Sequence, residues 1–392
     1  MAGSAIKRRL TGGFFENLSL SSIFKDESYR KPADVWLIVT VGCLVALSIL
    51  MVYSTTAVLA VSGEGASTSY LKKHVLNCII GLVGASALAN INLAWLKKNS
   101  GLLFMFCLFL MVLVLIPGLG MVAGGARRWL SLGGFRFQPG ELLKVIFVIY
   151  MASYAVRHKD RLSTFSKGVV TPILVLAICV GLLLMQPDFG SSAVLFLVTG
   201  CILFVSGSSL KHLFGVGFAG GLAASALIFS SPYRMRRVQA FLNPFDDPGN
   251  SGYQLIQSLI AVGSGGATGA GLGGGEQKLF YLPAAHTDFI FAVVGEEFGF
   301  AGSVFVILLF TVFAWRGLKI VSEHAGSTYI SALAMGLTAL IVIPAFLNVG
   351  VVTGLLPTKG MVLPLMGYGG TAMIVNLAVV GLLVRLSREA TD

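Results

Sequence analysis

Charge is scarce in this sequence. Only 11% of its 392 residues are Asp, Glu, Lys or Arg, where a soluble globular protein carries roughly 25%, so an ordinary water-soluble globule is excluded. Histidine and cysteine are scarce too, at five each. His74, His158, His212, His286 and His324 fall on different connections and on both membrane faces of the topology developed below, which argues against a His-based zinc centre and leaves no Ser-His-Asp arrangement. Cys43, Cys78, Cys107, Cys179 and Cys201 lie inside apolar runs without metal or redox spacing, so they read as small core residues and imply no disulfide framework. Nucleotide-binding signatures are missing as well. Gly275-Glu276-Gln277-Lys278 lacks the spacing and the following Ser or Thr of a phosphate loop, and Gly269, Gly271 and Gly274 fit G-x-G-x-x-G without the required strand before and helix after.

What the sequence does have is apolar length. Hydrophobic residues make up 56% of it, the mean hydropathy is +0.86, and a membrane-crossing helix needs about 20 apolar residues. Runs almost free of charge cover residues 35–59, 75–94, 100–118, 140–156, 169–186, 191–207, 212–230, 288–315, 328–350 and 361–384. These ten candidate spans predict an all-α polytopic membrane protein. The first run is too long for a signal-peptide core and lacks a small-residue cleavage site, so it reads as a retained span.

The net charge of +11 would suggest nucleic acid in a soluble protein, but here topology accounts for it. With a cytoplasmic amino terminus, seventeen basic residues fall inside, ten outside, and Lys144 within span four, a bias that places both termini in the cytoplasm. The chain then divides into a mixed-charge cytoplasmic tail (1–34), a ten-helix membrane domain (35–384) and a short cytoplasmic tail (385–392). Between spans seven and eight, residues 231–287 form a long extracytoplasmic loop. Its aromatic and apolar content, with an amphipathic helix predicted over Gln254 to Val262, marks an ordered cap rather than a tether.

Ionisable residues inside apolar runs are functional candidates because their insertion is costly. Glu141 and Lys144, three apart in span four, share a helix face; they form either a structural ion pair or the lining of a polar cavity. Arg127, Arg128 and Arg136 precede them as an outward cationic patch suited to phosphate oxygens. Glu296 and Glu297 lie within span eight, and cavity lining is expected for at least one. Asp288 at the start of that span suits a helix N-terminus, and Asp188 suits a turn or cap. In the long loop, Asp246 and Asp247 follow Arg234, Arg236 and Arg237: a solvated turn, or a general base beside an anion site.

Taken together, several strings carry a resemblance. They are Gly125-Ala126-Arg127-Arg128-Trp129, Phe137-Gln138-Pro139-Gly140-Glu141-Leu142, Gln186-Pro187-Asp188-Phe189-Gly190, Tyr233-Arg234-Met235-Arg236-Arg237, Asp247-Pro248 with Ser251-Gly252-Tyr253-Gln254, Gln277-Lys278-Leu279-Phe280-Tyr281-Leu282-Pro283, His286-Thr287-Asp288-Phe289, Glu296-Glu297, Pro357-Thr358-Lys359-Gly360 and Tyr368-Gly369-Gly370. In this order the chain resembles the SEDS family of bacterial membrane proteins (shape, elongation, division and sporulation). The strings around Lys278 and His286 favour its cell-division branch over the rod-elongation branch, which stands as the alternative.

The resemblance implies polymerisation of lipid II, a disaccharide-pentapeptide on undecaprenyl pyrophosphate, into glycan strands at the outer face of the plasma (inner) membrane, at the septum. It implies Asp247 as the catalytic carboxylate, taking the proton of an acceptor hydroxyl in one inverting displacement. Arg128, Lys144, Arg237 and Lys359 would stabilise the departing pyrophosphate, with Glu141 and His286 as further substrate contacts, and a divalent cation (Mg or Mn) is the one cofactor with a place in it. The implied partners are a class B penicillin-binding transpeptidase and other division proteins. The chain departs from the family pattern at Gly140, Gly367 and Thr371-Ala372, where hydroxyl residues are usual, which puts helix or substrate contacts there in doubt. A lipid II flippase is the competing class: it needs polar groups open to both faces, whereas most of the charges singled out here gather at one face.

Overall fold

The computed structural model describes residues 23–24, 31–57, 67–123, 125–133, 135–279, 281–358 and 360–390. Within them lie twelve α-helices and one small sheet. Ten of the helices are the expected crossings: α1 (Val35–Ala57), α2 (Ser67–Leu88), α3 (Leu93–Leu115), α4 (Pro139–Arg157), α5 (Thr171–Met185), α6 (Phe189–Val205), α7 (Leu210–Phe229), α10 (Ile290–Glu323), α11 (Thr328–Val352) and α12 (Gly370–Ser387). Among the described residues nine helices are long and apolar enough to cross a bilayer, α5 together with the π-helical turn Ser166–Val170 that leads into it, and α6, at 17 residues, is a shorter apolar one. The two remaining helices, α8 (Pro232–Leu242) and α9 (Tyr253–Ser264), lie in the long connection between α7 and α10. The amphipathic segment expected there is α9.

Local chemistry sets several boundaries. Asn92 caps α3 by accepting from the amides of Ala94 and Trp95, and Asp188 caps α6 by accepting from Ser191 N at 3.0 Å and Ser191 Oγ at 2.8 Å, which satisfies donors that a helix start leaves open. Three span starts differ most from the hydropathy reading. Helix α3 begins at Leu93, not 100. Helix α2 begins at Ser67, not 75, so Lys72, Lys73 and His74 sit on its first turns; α12 begins at Gly370, not 361, because Pro364 and the glycines around Tyr368 interrupt helical geometry. The last helix also continues through Arg385 to Ser387.

Helix α11 is the hub, packing against α10, α4, α6 and α12. Small residues allow the close approaches, as is usual where lipid supplies no hydrophobic drive between helices. A Cβ on Gly336 of α11 would lie 2.5 Å from Val148 on α4 and 2.8 Å from Ile202 on α6, and one on Gly381 of α12 would lie 2.6 Å from the Cα of Ala85 on α2. Helix α7 is different: none of its residues is buried, and an apolar groove of about 550 Å³, lined by residues such as Leu176, Phe196 and Gly220, separates it from α5 and α6.

The face carrying α8 and α9 is the loop face. At the opposite face the helix ends are tied together. Asp34 pairs with Arg316 of α10 at 2.5 Å and its amide donates to Ser387 of α12, while the fully buried Arg385 donates to Ile91 O at 2.9 Å and pairs with Glu389 at 2.5 Å.

Helix α10 carries the main irregularity of the fold. Gly299 adopts φ 66°, ψ −159°, so the helix is broken one third of the way along. A broken helix inside a membrane needs new partners for its freed backbone groups, and the glycine-rich segment after α9 supplies them. Ala270 N donates to Glu296 O and Gly271 N to Glu297 O, while Phe300 N donates to Gly266 O and Ala301 N to Ala267 O. A Cβ on Gly299 would lie 2.8 Å from the Ala267 carbonyl, so both the dihedral angles and the space require glycine.

The Gly381 contact predicts that Gly381→Leu breaks the α2 to α12 seam and lowers the melting temperature in detergent, since the neighbour is backbone and cannot give. Gly42→Ala, at a site with nothing within 4 Å, is expected to leave it unchanged, as checked by size-exclusion fluorescence of heated samples.

Candidate active site

Between α3 and α4 the chain forms an antiparallel sheet of β1 (Gly120–Ala123), β2 (Ala126–Leu132) and β3 (Phe135–Phe137), an addition to the helical fold expected from hydropathy. It presents the cationic patch, but two of the three arginines are spent on structure. Arg127 donates to Leu115 O at 3.1 Å, and Arg128 donates to Gln186 O at 2.8 Å and Pro187 O at 2.5 Å, closing the turn before α6. Arg136 is exposed, and among the described residues its guanidinium has no hydrogen-bond partner. Thr371 ties the sheet to α12: its hydroxyl donates to Arg136 O and accepts from Gln138 N, both at 3.1 Å. A hydroxyl is therefore present at this departure from the family pattern. At Gly367, a Cβ would lie 2.7 Å from Thr287 O, so the missing hydroxyl there reflects a close backbone approach.

Directly after the sheet, Glu141 and Lys144 pair at 2.9 Å across one turn of α4, their side chains 12% and 18% exposed. The pair is thus a formed ion pair that retains a solvent-facing edge.

Asp247 lies in the turn between α8 and α9. Its carboxylate accepts from Asn250 Nδ2 at 2.9 Å, Ser251 N at 3.1 Å and Ser251 Oγ at 2.9 Å, and these donors, Asn250 first, hold its pKa below the usual carboxylate range. The turn is positioned from both sides. On one side Arg237 of α8 donates to Thr358 O at 3.2 Å and to the Tyr233 hydroxyl at 2.5 Å; on the other Ser258 of α9 donates to Val352 O at 2.9 Å. Ser258 thus holds the end of α11, and Arg237 the segment that follows it. Lys359 lies outside the described residues, between Thr358 and Gly360.

The same segment brings in Asp288, which hydropathy assigned only to a helix start. Asn348 of α11 donates from one amide nitrogen to Asp288 O at 2.7 Å and to Met361 O at 2.8 Å, clamping the start of α10 to the connection. Burial raises the Asp288 carboxyl to about 6, with Thr287 and the charge of Arg237 acting in the opposite direction. His286, two residues earlier, rests its ring against Tyr70 and Tyr368, and burial lowers its pKa.

Glu296 and Glu297 correct the expectation of cavity lining. They are 3% and 0% exposed and serve the broken helix: Glu296 accepts from the amides of Glu276, at 2.6 Å, and Gln277, at 3.0 Å, and Glu297 pairs with Lys278 and accepts from Ser54 of α1. Lys278, within the long connection between α7 and α10, is 8% exposed. The sequence held the signal in Gly299 and the glycine cluster, but not the pairing.

The structure thus groups the predicted residues in two. Arg237, on the helix that leads into the Asp247 turn, reaches Thr358 O and acts on Asp288, while Arg128 lies in the sheet on Gln186 O and Pro187 O and Glu141 pairs with Lys144 on α4 directly after it. Among the described residues, no hydrogen bond or ion pair joins the groups. Nor do the described residues include three or more His, Cys, Asp or Glu placed to hold a metal ion.

A fold of ten apolar helices with carboxylates and cations assembled at one face defines a polytopic membrane protein whose chemistry is at a surface. The FtsW/RodA/SpoVE profile, described as a cell cycle protein family, matches residues 35–392. The chain belongs to this family. It is 43% identical over 361 residues, covering 92% of this chain and 90% of the relative, to the probable peptidoglycan glycosyltransferase FtsW of Thioalkalivibrio sulfidiphilus. It is 38% identical over 359 residues to the stage V sporulation protein E of Bacillus subtilis, covering 92% and 98%. Among solved structures it is similar to a chain of a peptidoglycan synthase complex that coordinates polymerization and crosslinking, with a TM-score of 0.75 at 29% identity, covering 92% and 98%. The rod shape determining protein RodA of Thermus thermophilus superimposes with a TM-score of 0.67 at 25% identity, covering 91% and 97%.

Removing one member of the buried Lys278 and Glu297 pair strands the other charge, so Glu297→Ala is expected to cost about 3–5 kcal/mol, read as a large drop in melting temperature. At Asp288, the raised pKa means that the group gains a negative charge beside Arg237 as pH rises through about 6. If Arg237 holds an anionic substrate, that substrate binds better below this pH, so KM falls from pH 7 to pH 5, and Asp288→Asn abolishes the dependence.

Proposed function

We infer that this chain is a peptidoglycan glycosyltransferase of the division (FtsW) type, which polymerises lipid II into β-1,4 glycan strands with undecaprenyl pyrophosphate as the leaving group. The observation that carries the reading is the Asp247 turn: a carboxylate oriented by three donors, on a loop whose flanking helices hold the end of α11 and Thr358 just after it. Relatives named FtsW at 40–45% identity support the division branch.

The acceptor hydroxyl must lose its proton while its oxygen attacks the anomeric carbon of the donor. Asp247 takes that proton: its lowered pKa keeps it ionised at neutral pH, and its hydrogen bonds fix the carboxylate in place, so little reorganisation is needed. The bond from the anomeric carbon to the pyrophosphate oxygen breaks in the same displacement, with inversion, and the pyrophosphate departs as an anion without needing a paired acid. Arg237 and Lys359, with Lys144 beyond its bond to Glu141, supply positive charge for it. Arg128, committed to backbone carbonyls, positions the sheet, and the uncommitted Arg136 takes its place as the available guanidinium. A divalent cation, Mg or Mn, fits this scheme when held chiefly by the substrate's own pyrophosphate oxygens, and no step above uses one.

The basic-residue bias supports a loop face outside the plasma membrane, the side on which polymerisation at the division septum would take place. A transpeptidase of the class B penicillin-binding type and other division proteins are the partners this role requires. A lipid transporter is less well supported, because the ionisable groups in the upper part of α10 are buried and paired rather than open to a pathway.

The test is reconstitution of the chain with its transpeptidase in liposomes, supplied with labelled lipid II and moenomycin to silence other polymerases. Glycan polymer from the wild type, and at least about a hundredfold less from Asp247→Asn, is expected. Polymer from both proteins would remove Asp247 as the base; polymer from neither, with the complex intact, would turn the reading toward transport.

A further inference from the structure

Three segments far apart in sequence converge on the loop face. Tyr70 comes from the first turns of α2, His286 from the approach to α10, and Tyr368 from the approach to α12. Their ring centroids lie 6.1 Å (Tyr70 to His286), 5.6 Å (Tyr70 to Tyr368) and 5.8 Å (His286 to Tyr368) apart, with interplanar angles of 62–63°. The arrangement is a closed triangle of edge-to-face contacts. A backbone bond fixes two of its corners, since Tyr368 N donates to His286 O at 2.8 Å.

Two features separate this triangle from ordinary core packing. The first is exposure: all three residues are half-buried, while the layer beneath them, including His74, Met366 and Ser48, is fully buried at 0% exposure. That layer is rigid. Ser48 Oγ donates to Met366 O at 2.7 Å and lies 2.8 Å from His74 Nε2; the hydroxyl has one proton, so Nε2 carries its own and donates to Ser48. The second is electrostatic. The backbone oxygen of Arg136 accepts from Thr371 Oγ at 3.1 Å, three residues beyond Tyr368, which brings an exposed guanidinium without a hydrogen-bond partner among the described residues to the neighbourhood of this aromatic surface.

A ligand that matches has an apolar face to lie on the rings, polar groups around its edge, and an anion attached nearby. A pyranose has this form, because its axial C–H groups gather on one face and meet the negative face of an aromatic ring favourably. We propose that the Tyr70, His286 and Tyr368 triangle is the docking face for a pyranose ring of the lipid-linked sugar substrate, with Arg136 beside it for the attached anionic group. The proposal rests on the glycosyltransferase reading and adds to it a sugar subsite built from side chains outside the charged groups. Tyr70 and Tyr368 then determine affinity for the sugar and take no part in proton transfer.

The experiment compares two ligands on the full-length protein in detergent: lipid II, and undecaprenyl pyrophosphate, which has the same lipid and pyrophosphate but no sugar. Tyr368→Leu and Tyr70→Leu remove a ring; Tyr368→Phe and Tyr70→Phe keep it. If the rings hold the sugar, each Leu variant weakens lipid II binding about tenfold, leaves undecaprenyl pyrophosphate within about twofold, and raises KM more than it lowers kcat. The Phe variants stay near wild type for both ligands. Equal loss of both ligands in a Leu variant, or no loss of either, overturns the proposal, as does a Phe variant as weak as its Leu counterpart. Should one Leu variant fail to fold by its melting curve, the other, on a separate segment, decides. Wild-type protein that binds lipid II but makes no polymer would count against the glycosyltransferase reading and leave the binding comparison standing.

Discussion

Hydrocarbon accepts no unpaired backbone amide or carbonyl, and this protein nevertheless breaks a membrane helix at Gly299. The rest of the loop face depends on how that break is repaired. Four backbone bonds from residues 266–271 splice the glycine-rich segment into the gap; Glu296 then takes the next two amides, and Glu297 fastens Lys278 and, through Ser54, helix α1. The buried carboxylates are thus structural in purpose. They hold the loop in the membrane so that the stretch from Leu282 to Phe289 arrives at a fixed place with His286 and Asp288.

Polar groups at this surface fall into those the fold consumes and those it leaves available. Arg127 and Arg128 are consumed by carbonyls at helix ends, and Lys278 by Glu297. Arg237 is divided, with one nitrogen on Thr358 O, another on the Tyr233 hydroxyl, and its charge directed toward Asp288. Arg136 and the outer edge of the Glu141 and Lys144 pair remain for a ligand. This division matters for mechanism because a guanidinium already donating to two carbonyls has little capacity left for phosphate, whatever its position in a motif.

Hydropathy made the helical framework legible because the crossing helices are long apolar runs, and the cap at Asp188 and the short helix α9 were legible because their signals are local. Span starts were less so: Lys72, Lys73 and His74 lower the hydropathy of the first turns of α2 and hid them. The sheet carrying the arginines has only three strands of 4, 7 and 3 residues, too short for a period to show. Asp247 and Arg237 were readable from resemblance, but the shared anchor between them, Val352 to Thr358, is a tertiary fact. Tyr70 went unnoticed for the same reason, since nothing in its own segment foretells contact with residues 216 and 298 positions further along.

The ties at the opposite face bear on how the site moves. Asp34 joins the start of α1 to Arg316 of α10 and Ser387 of α12, and Arg385 of α12 holds Ile91 between α2 and α3. A helix of 20 residues is about 30 Å long, so a tilt of about 2° at the tied end displaces the far end by about 1 Å. The far ties alone therefore do not fix the loop face, which relies on its own bonds, Ser54 to Glu297 and Tyr368 N to His286 O. A misplacement of that size is enough to change a reaction rate, so the lengths of these helices set how precisely the loop face must be held by whatever binds it.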